Sequence, residues 1–164
     1  MRKFLFCFLS VLLTFGQSAQ AKSEWPDKPI RIISPYAPGG NNDVVARVLA
    51  VRLQQILGQP IYVENKTGAG GVIAADYIAK STPDGYTLFM SSTGPQVISP
   101  SLVAKIPYDP IKDFAPVSNV QSNAIVLLVH PSVPAKNVKE LNALAKLEPG
   151  KLNFGSAGIG GVTH

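Results

Sequence analysis

The sequence predicts an α/β fold built on a parallel sheet, and three observations carry that prediction. Short β-branched or aromatic runs alternate with helix-patterned segments, the connections between them are short, and glycine-rich loops follow the runs. Strands that alternate with helices in this way pair in parallel through right-handed crossovers.

The elements follow in chain order. Ile30-Arg31-Ile32-Ile33 is short and β-branched, the composition of a buried strand. Asn42 or Asp43 is expected to cap the next helix, where Val44, Val45, Val48, Leu49, Val51, Leu53, Ile56 and Leu57 lie close to helical spacing. Gly58 stops that helix, and Pro60-Ile61-Tyr62-Val63 reads as the second strand. A second helix is expected from Gly71 to about Lys80, ended ahead of Pro83, and Tyr86 to Met90 reads as the third strand. "PSLVAKIPYDPIKDFAPVS" has little periodicity and reads as a connector. Beyond it, a strand is expected at Ala124 to Val129, a helix from Val138 to about Lys146, and a further strand at Leu152-Asn153-Phe154.

Met1-Arg2-Lys3, the apolar run Phe4 to Phe15 and Ala19-Gln20-Ala21 together have the form of a signal peptide, residues 1–21, cleaved after Ala21. The run falls short of the roughly 20 apolar residues that span a bilayer. Cys7, the only cysteine, lies inside it, so the exported part has no disulfide to rest on and needs an ordinary core. The formal charge of +5 includes Arg2 and Lys3, and the remaining positive bias is spread along the chain. With no basic stripe and no interleaved aromatics, nucleic acid is not an expected partner. Small anionic solutes suit such a surface better.

In parallel α/β sheets, ligands sit off the carboxyl ends of the strands. Four small-residue loops are expected at that edge: Pro38 to Asn42, Thr67 to Gly71, Ser91 to Gly94, and Ser156 to Gly161. Glycines let something approach the main chain closely, and helix N-termini favour anions. The expectation is an anion held largely by backbone N–H groups.

Other chemistries find little support. "GAGGVIAA" follows the second strand rather than the first, and the candidate acid Asp84 precedes the third strand, so it is a poor dinucleotide fingerprint. No G-x-x-x-x-G-K-[ST] stretch occurs. "GSAG" is not G-x-S-x-G, because Phe154 stands two places before Ser156. His130 and His164, the two histidines, have no carboxylate near in sequence, and no metal-ligand spacing is seen. No cofactor, metal or catalytic residue is therefore expected.

The combination of W-P-x-K-P-I, A-P-G-G-x-x-D, E-N-x-x-G-A-G-G and P-D-G-Y-T-L, followed by "LNFGSAGIGGVTH", resembles the periplasmic receptors of tripartite tricarboxylate transporters, the Bug family. The resemblance implies a periplasmic-binding-protein-like (type II) two-lobe clamshell. It would bind a small carboxylated solute in its cleft and pass it to membrane permease subunits. It implies a first lobe over residues 22–113, an incomplete second lobe over 114–164 and a periplasmic location; nothing in the sequence calls for an oligomer, so a monomer is expected. The first ligand loop would be Tyr36, Ala37, Pro38, Gly39, Gly40, Asn41, Asn42 and Asp43. Gly70, Gly71, Ser91, Ser92 and Thr93 would join it, with Ser156, Ala157, Gly158 and His164 from the other lobe, His164 opening the next helix. Asn41 and Asn42 stand where family members often have Thr or Ser, which bears on solute preference. Asp43 is expected either to cap its helix or to hold a water or a cationic part of the ligand. An α/β enzyme acting on a small anion, and a nonfunctional gene fragment, are the alternatives.

Overall fold

The computed structural model describes residues 25–164, so the expected signal peptide, residues 1–21, lies outside the described residues. Strands β1 (Ile30–Ser34), β2 (Ile61–Asn65) and β3 (Thr87–Phe89) form one parallel sheet in the order β2-β1-β3. Ile32 lies opposite Val63 on one side and Leu88 on the other. Parallel pairing puts the carboxyl ends of all three strands at one edge.

Helix α1 (Asn41–Leu57) covers one face of the sheet. Ala46 and Ala50 are buried there with Ile30, Ile32, Ile61 and Met90, and Val45, Leu49, Leu53 and Leu57 pack around them. That row repeats every four residues, as a helix resting on a sheet requires. Val44, Val48, Val51 and Ile56, expected in the same stripe, instead lie on the outward face and are exposed. Their spacing is helical too; the contact row, which spacing alone does not reveal, decided between them. The cap expectation is also corrected. Gly40 occupies the N-cap position with no side-chain cap, and Asn42 and Asp43 lie inside the first turn.

Helix α2 (Val72–Ala79) packs on β1 and β3 from the second face, with Ala74 and Ala75 fully buried. After β3 the chain runs through a wide helical turn (Gly94–Ile98) into the short helix α3 (Ser99–Leu102), which takes the first residues of the expected connector. The rest of the connector is pinned by aromatics. Phe114 stacks on Phe89 with centroids 6.1 Å apart, Tyr108 meets Phe114 edge-on at 5.7 Å, and the Tyr108 hydroxyl donates to the Pro95 carbonyl.

Two of the sequence motifs meet at the other end of the strands. Lys28 pairs with Asp84 at 3.0 Å and sits 4.2 Å over the Tyr86 ring. The Asp27 N–H donates to the Tyr86 hydroxyl, which in turn donates to the Asp27 carboxylate. Gly85, at φ +82°, gives way to Trp25, whose Nε1 would lie 3.0 Å from a Cβ there. W-P-x-K-P-I and P-D-G-Y-T-L are thus two halves of one clasp that fastens residues 25–28 to the start of β3.

The second half of the chain has helix α4 (Val138–Leu147), capped by the Asn137 side chain, which accepts from the Glu140 N–H. The strands expected at Ala124 to Val129 and Leu152 to Phe154 do not form. A strand is defined by its neighbour, and no described segment lies alongside either run to supply one. No helix among the described residues is long and apolar enough to cross a membrane.

Candidate functional site

The carboxyl edge of the sheet gathers all four glycine-rich loops. The Tyr36 and Ser92 hydroxyls share a hydrogen bond of 2.7 Å, joining the loops after β1 and β3. A Cβ on Gly94 would lie 2.8 Å from the Tyr36 hydroxyl, 3.2 Å from the Gly70 carbonyl and 3.4 Å from the Gly160 carbonyl. A Cβ on Gly70 would collide with the Ile159 carbonyl oxygen. One on Gly71 would press on Pro35 and Pro95. The Ser99 hydroxyl donates to the Gly160 carbonyl at 3.4 Å. Loops from residues 35 to 161 therefore meet backbone to backbone at one corner.

This corner separates the glycines by role. Gly70, Gly71, Gly94 and Gly160 are glycine because protein backbone or side chains fill the space of a side chain. Gly39, at φ +80°, has nothing within 4 Å of its missing Cβ, so the outer side of the turn is open to an approaching group even though its N–H is spent inside the protein. Ala37, Pro38 and Asn41 are exposed around it.

What holds this open loop is a buried carboxylate. Asp43 is 2% exposed and lies in the first turn of α1. It accepts from the Gly39 N–H at 2.9 Å, from Asn65 Nδ2 at 2.9 Å, and from two nitrogens of Arg47 at 3.0 and 2.9 Å. Arg47 above all, then Gly39 and Asn65, hold its carboxyl well below the usual carboxylate range. Asn65, the last residue of β2, donates a second time to the Tyr36 carbonyl at 2.9 Å. Asp43 thus ties the Gly39 turn, its own helix and the end of β2 together, with its oxygens engaged by the protein. Asp43 is three residues past the N-cap Gly40, and its carboxylate reaches back to the N–H of the residue ahead of that cap, so it secures the helix entry without being the cap that was expected.

Asn42 is likewise committed. Its buried amide donates to the carbonyls of Met90 and Ser91 at 3.2 and 3.1 Å, fastening the start of α1 to the chain leaving β3. Asn41 is the exposed member of the pair, and its amide donates to Gln121 at 3.3 Å, across eighty positions of sequence. Thr93 is exposed, while the Ser91 hydroxyl is buried with no hydrogen-bond partner among the described groups. Ser156, Ala157 and His164 are exposed; Gly158 lies 3.5 Å from Gly70 N by its missing Cβ. The His164 N–H donates to the Gly161 carbonyl and closes a turn.

Arg47, Asn65, Pro95 and Ser99 were not among the expected residues. Arg47 carried a signal, since it stands four positions after Asp43, where helix neighbours meet. Asn65 carried one as well, standing in the E-N-x-x-G-A-G-G motif, whereas Pro95 and Ser99 are brought in by tertiary contacts with no local mark. Two concave regions lie away from this corner. A groove of about 890 Å³ includes Arg31, Tyr62, Lys66, Tyr77 and Tyr86, and a smaller hollow of about 400 Å³ lies around His130 and Pro134.

Residues 45–164 match the family model described as "Tripartite tricarboxylate transporter family receptor". The chain belongs to this family. Among its relatives, the protein BugT of Bordetella pertussis is 42% identical over 155 residues, covering 93% of this chain and 48% of BugT. MatC from Rhodopseudomonas palustris, solved with bound malate, is 36% identical with a TM-score of 0.80, over 84% of this chain and 47% of MatC. A second R. palustris protein, solved with adipate, is 31% identical with a TM-score of 0.68, over 84% of this chain and 46% of its own. The chain therefore spans about half the length of the relatives it matches. Its parallel α/β sheet is the fold of these binding proteins, present in part.

Proposed function

We propose that this protein is a periplasmic solute-binding receptor that captures a small carboxylated metabolite for uptake through the membrane subunits of a tripartite tricarboxylate-type transporter. The observation that carries the reading is the Gly39 loop. Its Gly39 and Gly40 N–H groups are held by Asp43 and the Ala37 carbonyl, which leaves the N–H groups of Asn41 and Asn42 to face a ligand at the N-terminus of a seventeen-residue helix, the turn braced from behind by Asp43, Arg47 and Asn65. Helix N-terminal N–H groups suit a carboxylate, and two relatives were solved with dicarboxylates.

In this reading residues 22–113 form one lobe and residues 114–164 part of a second. The ligand is held between Tyr36 to Asn42, the Ser91 to Thr93 hydroxyls, and Ser156 to Gly158. Asp43 acts by positioning the loop, and Asn41 is the member of the Asn pair placed to influence which acid is taken. The protein binds its ligand unchanged, with no catalytic step. Cleavage after Ala21 would release it to the periplasm.

With about half of the relatives' length present, binding by this chain alone is weak. Titration of residues 22–164 with malate and adipate, followed by amide NMR, tests the reading. Millimolar acid should shift the N–H signals of Gly39 to Asn42, and the corresponding diamides should not. Shifts confined to other regions, no shifts at all, or chemical conversion of the acid would refute it.

A further inference from the structure

Asn41 reaches out of the first loop to a residue far along the chain. Its side-chain amide donates to Gln121 Oε1 at 3.3 Å. Gln121 lies in the stretch 115–130, where it is the one residue that is not exposed. Among the described residues, this is also the one hydrogen bond from that stretch to the first half of the chain. The contact seats Gln121 beside Asn41, whose main-chain N–H faces the ligand.

The pair is uncharged, and its two members are used unequally. An amide offers two N–H donors and one oxygen acceptor. The Gln121 oxygen is engaged by Asn41, so Gln121 presents its nitrogen. Asn41 has given up an N–H in that bond, and its oxygen is the acceptor that remains. A donor and an acceptor side by side match a hydroxyl, which both gives and takes a hydrogen bond. A carboxylate only takes and a methylene does neither, so each leaves one of the two amides unmatched. Asn42 has no part in the choice, because its amide is committed to the Met90 and Ser91 carbonyls. We propose that Gln121 is a specificity-determining residue of the carboxylate site. With Asn41 it selects an acid that carries a hydroxyl close to the carboxylate bound at the Asn41 and Asn42 N–H groups. The inference rests on the receptor reading above and narrows the class of acid taken.

Malate and succinate, which differ by one hydroxyl, test it by amide NMR on residues 22–164. Malate should bind about three- to tenfold more tightly than succinate, the range one hydrogen bond supplies. It should also shift the side-chain amide signals of Asn41 and Gln121, which succinate leaves in place. Gln121→Met keeps the length of the side chain and removes the amide. Its malate affinity should fall to within about twofold of succinate, with succinate binding and the signals of β1 to β3 unchanged. Gln121→Glu keeps an acceptor for Asn41 but puts a negative charge beside the ligand, and should weaken both acids. Equal binding of the two acids at Asn41 and Asn42 in the parent would overturn the proposal while the receptor reading stands. A malate preference that survives Gln121→Met, or an equal loss of both acids in that variant, would overturn the role of Gln121. If neither acid moves the Asn41 and Asn42 signals of the parent, the receptor reading fails and the proposal with it.

Discussion

Gly70→Ala probes the corner where the loops meet, and Gly58→Ala supplies its reference. Both glycines are in the left-handed region, Gly70 at φ 63° and Gly58 at φ 68°. An alanine at either pays about 1–2 kcal/mol for that backbone alone. The surroundings differ. The new methyl at Gly58 meets nothing within 4 Å, whereas at Gly70 it runs into the Ile159 carbonyl and lies 3.1 Å from both Gly160 C and Gly161 N. These are backbone atoms, so relief requires the 158–161 loop to move as a whole. Overpacking of this kind typically costs about 1–3 kcal/mol more. Thermal unfolding followed by circular dichroism should place Gly70→Ala at least about 3 °C below Gly58→Ala. Amide exchange should rise at Gly161 and His164, whose hydrogen bonds close the displaced loop. Equal melting of the two variants, with unchanged exchange at Gly161, would falsify the claim that this loop is seated on Gly70.

Three further outcomes follow from the packing and electrostatics. Ile30→Ala removes a fully buried side chain from the core under α1 and should cost about 2–5 kcal/mol in urea unfolding; a cost below 1 kcal/mol would contradict the assigned core. Asn42→Ala strips a donor from the Met90 and Ser91 carbonyls, and about 1–3 kcal/mol of lost stability is expected, against no change if the amide were a free ligand group. Asp43 has its folded-state pKa lowered, so its stabilisation is complete above the ordinary carboxylate value and drains away as pH falls through the lowered one. The stability gap between the parent and Asp43→Asn should therefore be widest near neutral pH and narrow from about pH 4 downward; a gap constant from pH 7 to 2 would show that the carboxylate charge is not what holds the Gly39 turn.

The legibility of the site differed from residue to residue. The A-P-G-G-x-x-D stretch announced an open turn ahead of a helix, and the Gly39 backbone conforms to that local chemistry. Gly70 and Gly94 looked alike in sequence but serve contact between loops, because a glycine that admits a ligand and one that admits a neighbouring carbonyl obey the same steric rule. The hydroxyls and amides were harder still: Asn42 and Ser92 are consumed by partners about fifty positions away, and no short-range pattern encodes such pairing.

By itself the sequence determined the local elements: β1, β2 and β3, the helices after the first two, the stop at Gly58, and the family motifs. Each depends on a few neighbouring residues, through β-branching, helical spacing or a positive φ. Tertiary structure decided which row of α1 faces the sheet, that W-P-x-K-P-I clasps P-D-G-Y-T-L, that Asp43 is spent on Arg47, Asn65 and Gly39, and that Ala124 to Val129 remains without a ladder. Those outcomes turn on partners distant in the chain, and a strand-forming run becomes a strand only when another backbone lies beside it.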